Sequence, residues 1–334
     1  MMKTKILILF IALLALPIVA QAQFAYIVNN DGTITITVYT GSGGNVVIPA
    51  MINGLPVTSI GDYGVFAYDS SLTSVTIPDS VTSIGNEAFF ACSNLTNVTM
   101  GNDVTRIGSL AFADCSSLAN VTIPHNVTDI EESAFIDCSN LTSVTIPDNI
   151  INIAAYTFEY CSGLTNVTIG RGVSNIGGDA FASCESLTNV IIPDNVTSIQ
   201  DGAFAGCSNL TGVYFEGNAP AADSDAFYDD PATVYYLPGT LGWGNTFTGV
   251  PIVQWFLPQP LILNQGPGFG VQSNQFGFTI SWATNVPVVV EACTNLANPI
   301  WSPVGTNTLT GGSFYFSDPE WRNYPARFYR LLSP

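Results

Sequence analysis

Apolar residues along this chain recur on a ruler of 23. Phe66, Phe89, Phe112, Phe135, Phe158, Phe181, Phe204 and Phe227 form one column, and Leu72 to Leu210 and Val75 to Val213 form two more at the same step. Cys92, Cys115, Cys138, Cys161, Cys184 and Cys207 keep the phase, three residues after their phenylalanines, with Asp69 and Asp230 at the outer equivalents. Self-similarity at a fixed period of this length predicts a solenoid. One such coil cannot bury its own apolar face, so neighbours must stack and share a continuous core.

A single repeat reads as follows. Around Val144-Thr145-Ile146, apolar and polar residues alternate over a β-branched run, which predicts a short strand. Pro147 cannot donate to a ladder and ends it. An Asp-Asn turn follows, then a second, poorer strand or bend between Ile150 and Ile153. The segment Thr157-Phe-Glu-Tyr-Cys161 is expected to make one helical turn with phenylalanine and cysteine pointing inward.

The pattern L-T-x-V-x-I-P-x-x-V-x-x-I-x-x-x-A-F-x-x-C-S resembles the BspA-like leucine-rich repeats (leucine-rich repeat family 5) of bacterial surface proteins, over residues 24 to 257. The opening Phe24-Ala-Tyr-Ile, the segment Asn53-Gly-Leu-Pro-Val-Thr-Ser-Ile-Gly and the closing Tyr235-Tyr-Leu-Pro-Gly-Thr-Leu-Gly-Trp-Gly belong to the same resemblance. It implies a curved, right-handed solenoid on exported proteins linked to adhesion and protein binding, and it brings no catalytic residues. Met100-Gly101 and Ile169-Gly170 depart from Ile-Pro, and Thr157 from the usual alanine.

The expected fold class is therefore mostly β, a leucine-rich-repeat solenoid of 23-residue coils followed by a small β-sandwich. Residues 1–22 read as a signal peptide: Lys3 and Lys5, an apolar stretch, then Ala20-Gln21-Ala22 as the cleavage site. Residues 23–57 are expected to form an N-terminal cap, 58–257 the solenoid with its closing cap, and 258–272 a linker rich in Pro, Gly, Gln and Asn. Tyr235, Tyr236, Trp243 and Trp255 are expected to cover the last coil. Residues 273–334 hold short β-like runs that predict an immunoglobulin- or fibronectin-III-like sandwich, with Trp282, Trp301 and Phe328 in its core. The ending Ala326-Arg-Phe-Tyr-Arg-Leu resembles carboxyl-terminal modules of exported bacterial proteins, which implies a role in sorting or attachment.

Charge sharpens this division. The 334-residue chain has 25 acids against 7 lysines and arginines, a formal charge of −18. Both lysines sit in the signal. Residues 24 to 257 carry 22 acids and only Arg106 and Arg171, whereas residues 258 to 334 balance three acids with three arginines. Nucleic acid and anionic membrane surfaces are excluded as partners, because phosphate neutralisation needs clustered cations. No membrane insertion is expected once the signal is removed. The partner expected instead is an extracellular protein or polysaccharide, at the bacterial surface or in the surrounding medium.

Candidate chemistry is sparse. Cysteines at equivalent places of stacked coils lie parallel and about 4.8 Å apart, which is unfavourable for a disulfide and favours a ladder of free, buried thiols. Metal binding by these cysteines lacks a Cys-x-x-Cys pair or a partner histidine. His125 is the only histidine and occupies a turn column, so it reads as solvated rather than catalytic. Asp223, Asp225, Asp229 and Asp230 offer the several oxygens a calcium site needs, but without an EF-hand glycine pattern the reading preferred is an acidic last coil. No catalytic residue, cofactor or metal is assigned. The candidate ligand-binding residues lie on the exposed strand face: Thr99, Thr122, Thr145 and Thr168, then Ile191 and Tyr214, which interrupt the threonine column. The function expected is non-catalytic binding or adhesion on a rigid acidic scaffold; the alternative is a structural surface or matrix spacer. Ordered-water binding by the Asn/Ser-x-Thr array is a third.

Overall fold

The computed structural model of the chain describes residues 23–257, 259–264, 268–282 and 285–332, so the expected signal peptide lies outside the described residues. The described residues divide into two compact units, those up to residue 144 with 156–162, and residues 145–155 with those from 163 on. Among the described residues there is no α-helix, only strands, turns and two short 3-10 segments, and no helix long and apolar enough to cross a membrane.

The first unit begins with Phe24–Val28, antiparallel to Ile34–Tyr39. Ile34 and Ile36 point inward and are fully buried. From there the ladder is parallel: Leu55–Ile60, Ser83–Ile84, Arg106–Ile107 and Asp129–Ile130 each pair with the strand one coil back. A second parallel ladder runs through Gly44–Val47, Leu72–Thr76, Asn97–Thr99 and Asn120–Val121. Its register aligns Val75, Val98 and Val121, so the 23-residue step seen in the sequence is one turn of the coil.

The segment expected as a helical turn is built otherwise. Glu87, Ala91, Leu110, Asp114, Ser133 and Asp137 all have φ between 55° and 59°, the left-handed region. A right-handed helix cannot continue through such residues. They turn alternate N–H groups sideways, so that Phe66, Phe89 and Phe112 donate to the carbonyls of Ala88, Ala111 and Ala134 in the next coil, each at 2.8 Å. The turn corner is thereby a third ladder, and its buried backbone is satisfied.

Inside, the phenylalanine rings follow the coil step. Phe66, Phe89, Phe112, Phe135 and Phe158 stack in sequence with centroids 4.7, 5.1, 5.3 and 5.5 Å apart and planes within 10°. The cysteines are free and buried. Cys92, Cys115, Cys138 and Cys161 each donate S–H to the carbonyl of Phe66, Phe89, Phe112 and Phe135 respectively, at 3.1–3.2 Å. Burial pushes the Cys92 thiol up to about 12 and those of Cys115, Cys138 and Cys161 well above the ordinary thiol value. These sulfurs are inert fillers that also occupy an acceptor.

The second unit repeats the plan. Asn152–Ile153, Asn175–Ile176, Ser198–Ile199 and Ala221–Ala222 form one parallel ladder. Asn189–Ile192, Gly212–Phe215, Thr233–Tyr236 and Val250–Gln254 form another, and Thr246–Phe247 folds back antiparallel to close it. Phe181, Phe204 and Phe227 stack at 5.2 and 5.4 Å.

Two antiparallel sheets follow. Gln275–Ser281 is flanked by Leu261–Leu263 and Gly270–Gln272 and pairs with Ser313–Asp318. Pro287–Cys293 is flanked by Ser302–Thr308 and Phe328–Leu332. Phe278, Ile280, Val288, Val290, Leu309 and Phe316 form the shared core. The stretch expected as a linker thus supplies two strands, because Gln275–Ser281 offers hydrogen bonds on both edges. Of the expected core residues, Trp282 packs partly against this core, whereas Phe328 is exposed and Trp301 lies beneath the Arg330 guanidinium at 4.5 Å. The last strand buries its other phase, Tyr329 and Leu331, which is the face turned to the sheet opposite.

Candidate functional site

The candidate residues all sit on outward positions of the parallel strands. Thr99 is exposed and aligned with Thr76; Thr122 is exposed just past Asn120–Val121; Thr145 and Thr168 are exposed at the ends of Ser143–Thr145 and Asn166–Thr168. Short hydroxyls flank the inward valines there, leaving a shallow surface with little to anchor a partner.

At the far end of the second unit the same positions change character. Ile191 aligns with Tyr214, Tyr214 with Tyr235, and Tyr235 with Val253. The two tyrosine rings stack 4.6 Å apart at 10°, and Trp255 meets Tyr214 edge-on at 5.0 Å. Ile191 is 49% exposed and Val253 is 47% exposed, so an apolar and aromatic strip four strands wide faces outward. The stack covers one face of each tyrosine.

The structure thus brings Ile191 and Tyr214 together and adds Tyr235, Val253 and Trp255 to them. Two of the residues expected to cap the last coil serve the outside instead. The capping is done by Trp243, stacked on Tyr236 at 5.1 Å and edge-on to Phe215 at 5.1 Å, with Phe247 beside it. The missed residues were hidden by spacing: Tyr235 follows Tyr214 by 21 residues and Val253 follows Tyr235 by 18, so a 23-residue extrapolation passes both.

The remaining candidates separate. His125 is exposed. Asp223, Asp225 and Asp229 are exposed, and among the described residues no three His, Cys, Asp or Glu side chains converge as metal ligands. Asp230 is not a wet outer residue: burial, with a smaller push from the Asp229 charge, raises its carboxyl from 3.8 to about 7 against the opposing Cys207 backbone.

The profile described as "BspA type Leucine rich repeat region" matches in six copies over residues 58–184 and 138–241, more than half of the chain. The chain belongs to the BspA-type leucine-rich repeat family. Among solved structures it is similar to a leucine rich cell surface protein from Faecalibacterium prausnitzii, at 26% identity over 64% of this chain and 86% of that one, with a TM-score of 0.47. It is also similar to a T. pallidum leucine-rich repeat protein, at 29% identity over 64% and 84% with a TM-score of 0.46. A leucine-rich repeat protein from Bacteroides capillosus matches 44% of this chain and 94% of its own, at 29% identity and a TM-score of 0.33. No curated protein sequence matches. The repeat region is a family scaffold for binding, and the family is generally non-enzymatic.

Proposed function

We propose that this BspA-type protein is exported and acts as a non-catalytic binding protein, holding an extracellular protein partner on the outward strand strip that begins at Ile191 and Tyr214. The observation that carries the reading is the change at one repeated position from threonine to Ile191, Tyr214, Tyr235 and Val253. The repeat does not need that change for its own packing, because the position faces outward. Tyrosine and tryptophan are the residues that anchor interfaces. The threonines Thr145 and Thr168 of the second unit, and Thr99 and Thr122 of the first, are the shallow outward positions on each unit's own strands. Export rests on residues 1–22 as a cleaved signal and on the bacterial surface setting of the family; amino-terminal sequencing of secreted protein should begin at Gln23. The two-sheet module at the carboxyl terminus is assigned to sorting or attachment.

The test is an array of matrix proteins and glycans probed with the full secreted chain. A variant carrying Ile191→Thr, Tyr214→Thr and Tyr235→Thr, which continues the threonine column, should lose at least about tenfold in affinity for the protein captured. Thr122→Ala should change little. Absence of any bound protein, or undiminished binding by the triple variant, would favour the spacer reading.

A further inference from the structure

A second recess lies away from the strand strip, on the turns that follow the strands. Residues of successive coils, Arg171, Asp194, Glu216 and Leu241, line one side of a cavity of about 440 Å³; Leu261 and Tyr315 of the carboxyl-terminal sheet line the other. That volume falls in the range of ligand sites. One of its acids breaks the repeat, whereas Asp194 keeps the aspartate of Asp79 and Asp148. Glu216 stands where other coils have Pro78, Pro124, Pro147 and Pro193, or Gly101 and Gly170. Arg171 is one of only two arginines among residues 24 to 257.

Charge in the recess is unbalanced. Asp194 and Glu216 retain 11% and 25% of their side-chain exposure, yet they share one cation, Arg171, which is 64% exposed and reaches them at 3.7 and 3.2 Å. Burial holds the Glu216 carboxyl above its ordinary value even though Arg171 opposes this, so the arginine does not compensate fully. Beside the acids, Leu241 and Leu261 are 52% and 37% exposed. Half-buried carboxylates next to uncovered leucines match one chemistry, a long apolar stem ending in a cation.

We propose that this recess binds a basic side chain, lysine or arginine, of a polypeptide, with Leu241 and Leu261 covering its methylenes and Asp194 and Glu216 taking its charge. The site is separate from the strand strip and does not rest on the function assigned to that strip. The acidic coils around it draw basic partners from solution.

The test is an NMR titration of the full secreted chain with the blocked pentapeptide Gly-Gly-Lys-Gly-Gly and with the same peptide carrying acetyl-lysine. The lysine peptide should shift resonances of Leu241 and Leu261, and the acetylated peptide should not. Glu216→Gln should weaken the effect about tenfold, whereas Arg171→Gln, which removes the competing cation, should strengthen it about threefold. Glu185→Gln, an exposed acid elsewhere, should leave it unchanged. The proposal fails if the shifts are absent, or if they spread over the acidic coils and survive Glu216→Gln. The triple threonine variant of the strand strip should titrate like the parent chain, so failure here and failure of the strand-strip reading are separable.

Discussion

The repeat coils and the carboxyl-terminal module both bury apolar β surface, but in opposite ways. In the central coils a strand meets its equivalent 23 residues on, until the closing coils shorten the step, so most inward columns hold one residue type and each phenylalanine ring stacks on a copy of itself. In the module each antiparallel pair has its own register, with an irregularity at Val290 and Glu291, and the core is assembled from unlike residues. The lesson is that repetition forces a consensus on the interior and frees the outward positions. A departure at such a position is then a candidate for function, whereas a departure inside is a defect or an end.

The sharpest way to break this comparison is to remove one ring from each region. Phe135, fully buried between Phe112 and Phe158, should cost about 3–5 kcal/mol on Phe135→Ala. Phe328→Ala in the module should cost less than about 1 kcal/mol, because Phe328 is exposed. Chemical denaturation of the full chain measures both, and equal losses would contradict the assignment of cores. A smaller effect is expected at the thiol ladder: Cys138→Ala removes a fully buried group and its bond to the Phe112 carbonyl, and should lower stability by about 1 kcal/mol in the same assay.

Backbone strain gives an effect of opposite sign. Ser133 holds φ 59°, where an L side chain is disfavoured and glycine is not. Ser133→Gly should therefore raise stability by about 0.5–1 kcal/mol. The gain is read as a higher denaturation midpoint.

Asp230 supplies a pH test at the end of the cysteine column. Its folded value of about 7 lies above the ordinary 3.8, so between these values the folded state keeps a proton that the unfolded chain has lost. This contribution is complete below about pH 4 and is lost as pH rises through 7. Melting temperature compared across that window should fall more in the parent chain than in Asp230→Asn, and parallel curves would remove Asp230 from the account.

Much of the fold was legible because each position is sampled seven or eight times: Phe, Leu, Val and Cys columns identify the interior, and proline marks the strand end. The turn corner was not, because the sign of φ is invisible in Glu87, Ala91 or Leu110. Gly64, Gly202 and Gly206, glycines at the equivalent places with φ 81°, 61° and 72°, hinted at it. In the module no repetition averages out ambiguity, and the alternating strand Phe328–Leu332 was read in the wrong phase. Half of the candidate strip was visible as Ile191 and Tyr214, while the shortened closing coils concealed Tyr235 and Val253.

The central claim is that stacked coils seal a common interior in which the cysteines stand as free thiols. It is tested most directly by titrating thiols with an aromatic disulfide reagent before and after unfolding. Cys92, Cys115, Cys138, Cys161, Cys184, Cys207 and Cys293 are all buried and none is in a disulfide. The native protein should give almost no reaction, and the denatured protein should give seven equivalents. Rapid labelling of the native chain would show an interior open to water, and fewer than two thiols after denaturation would show the column paired as disulfides; either result would contradict the account.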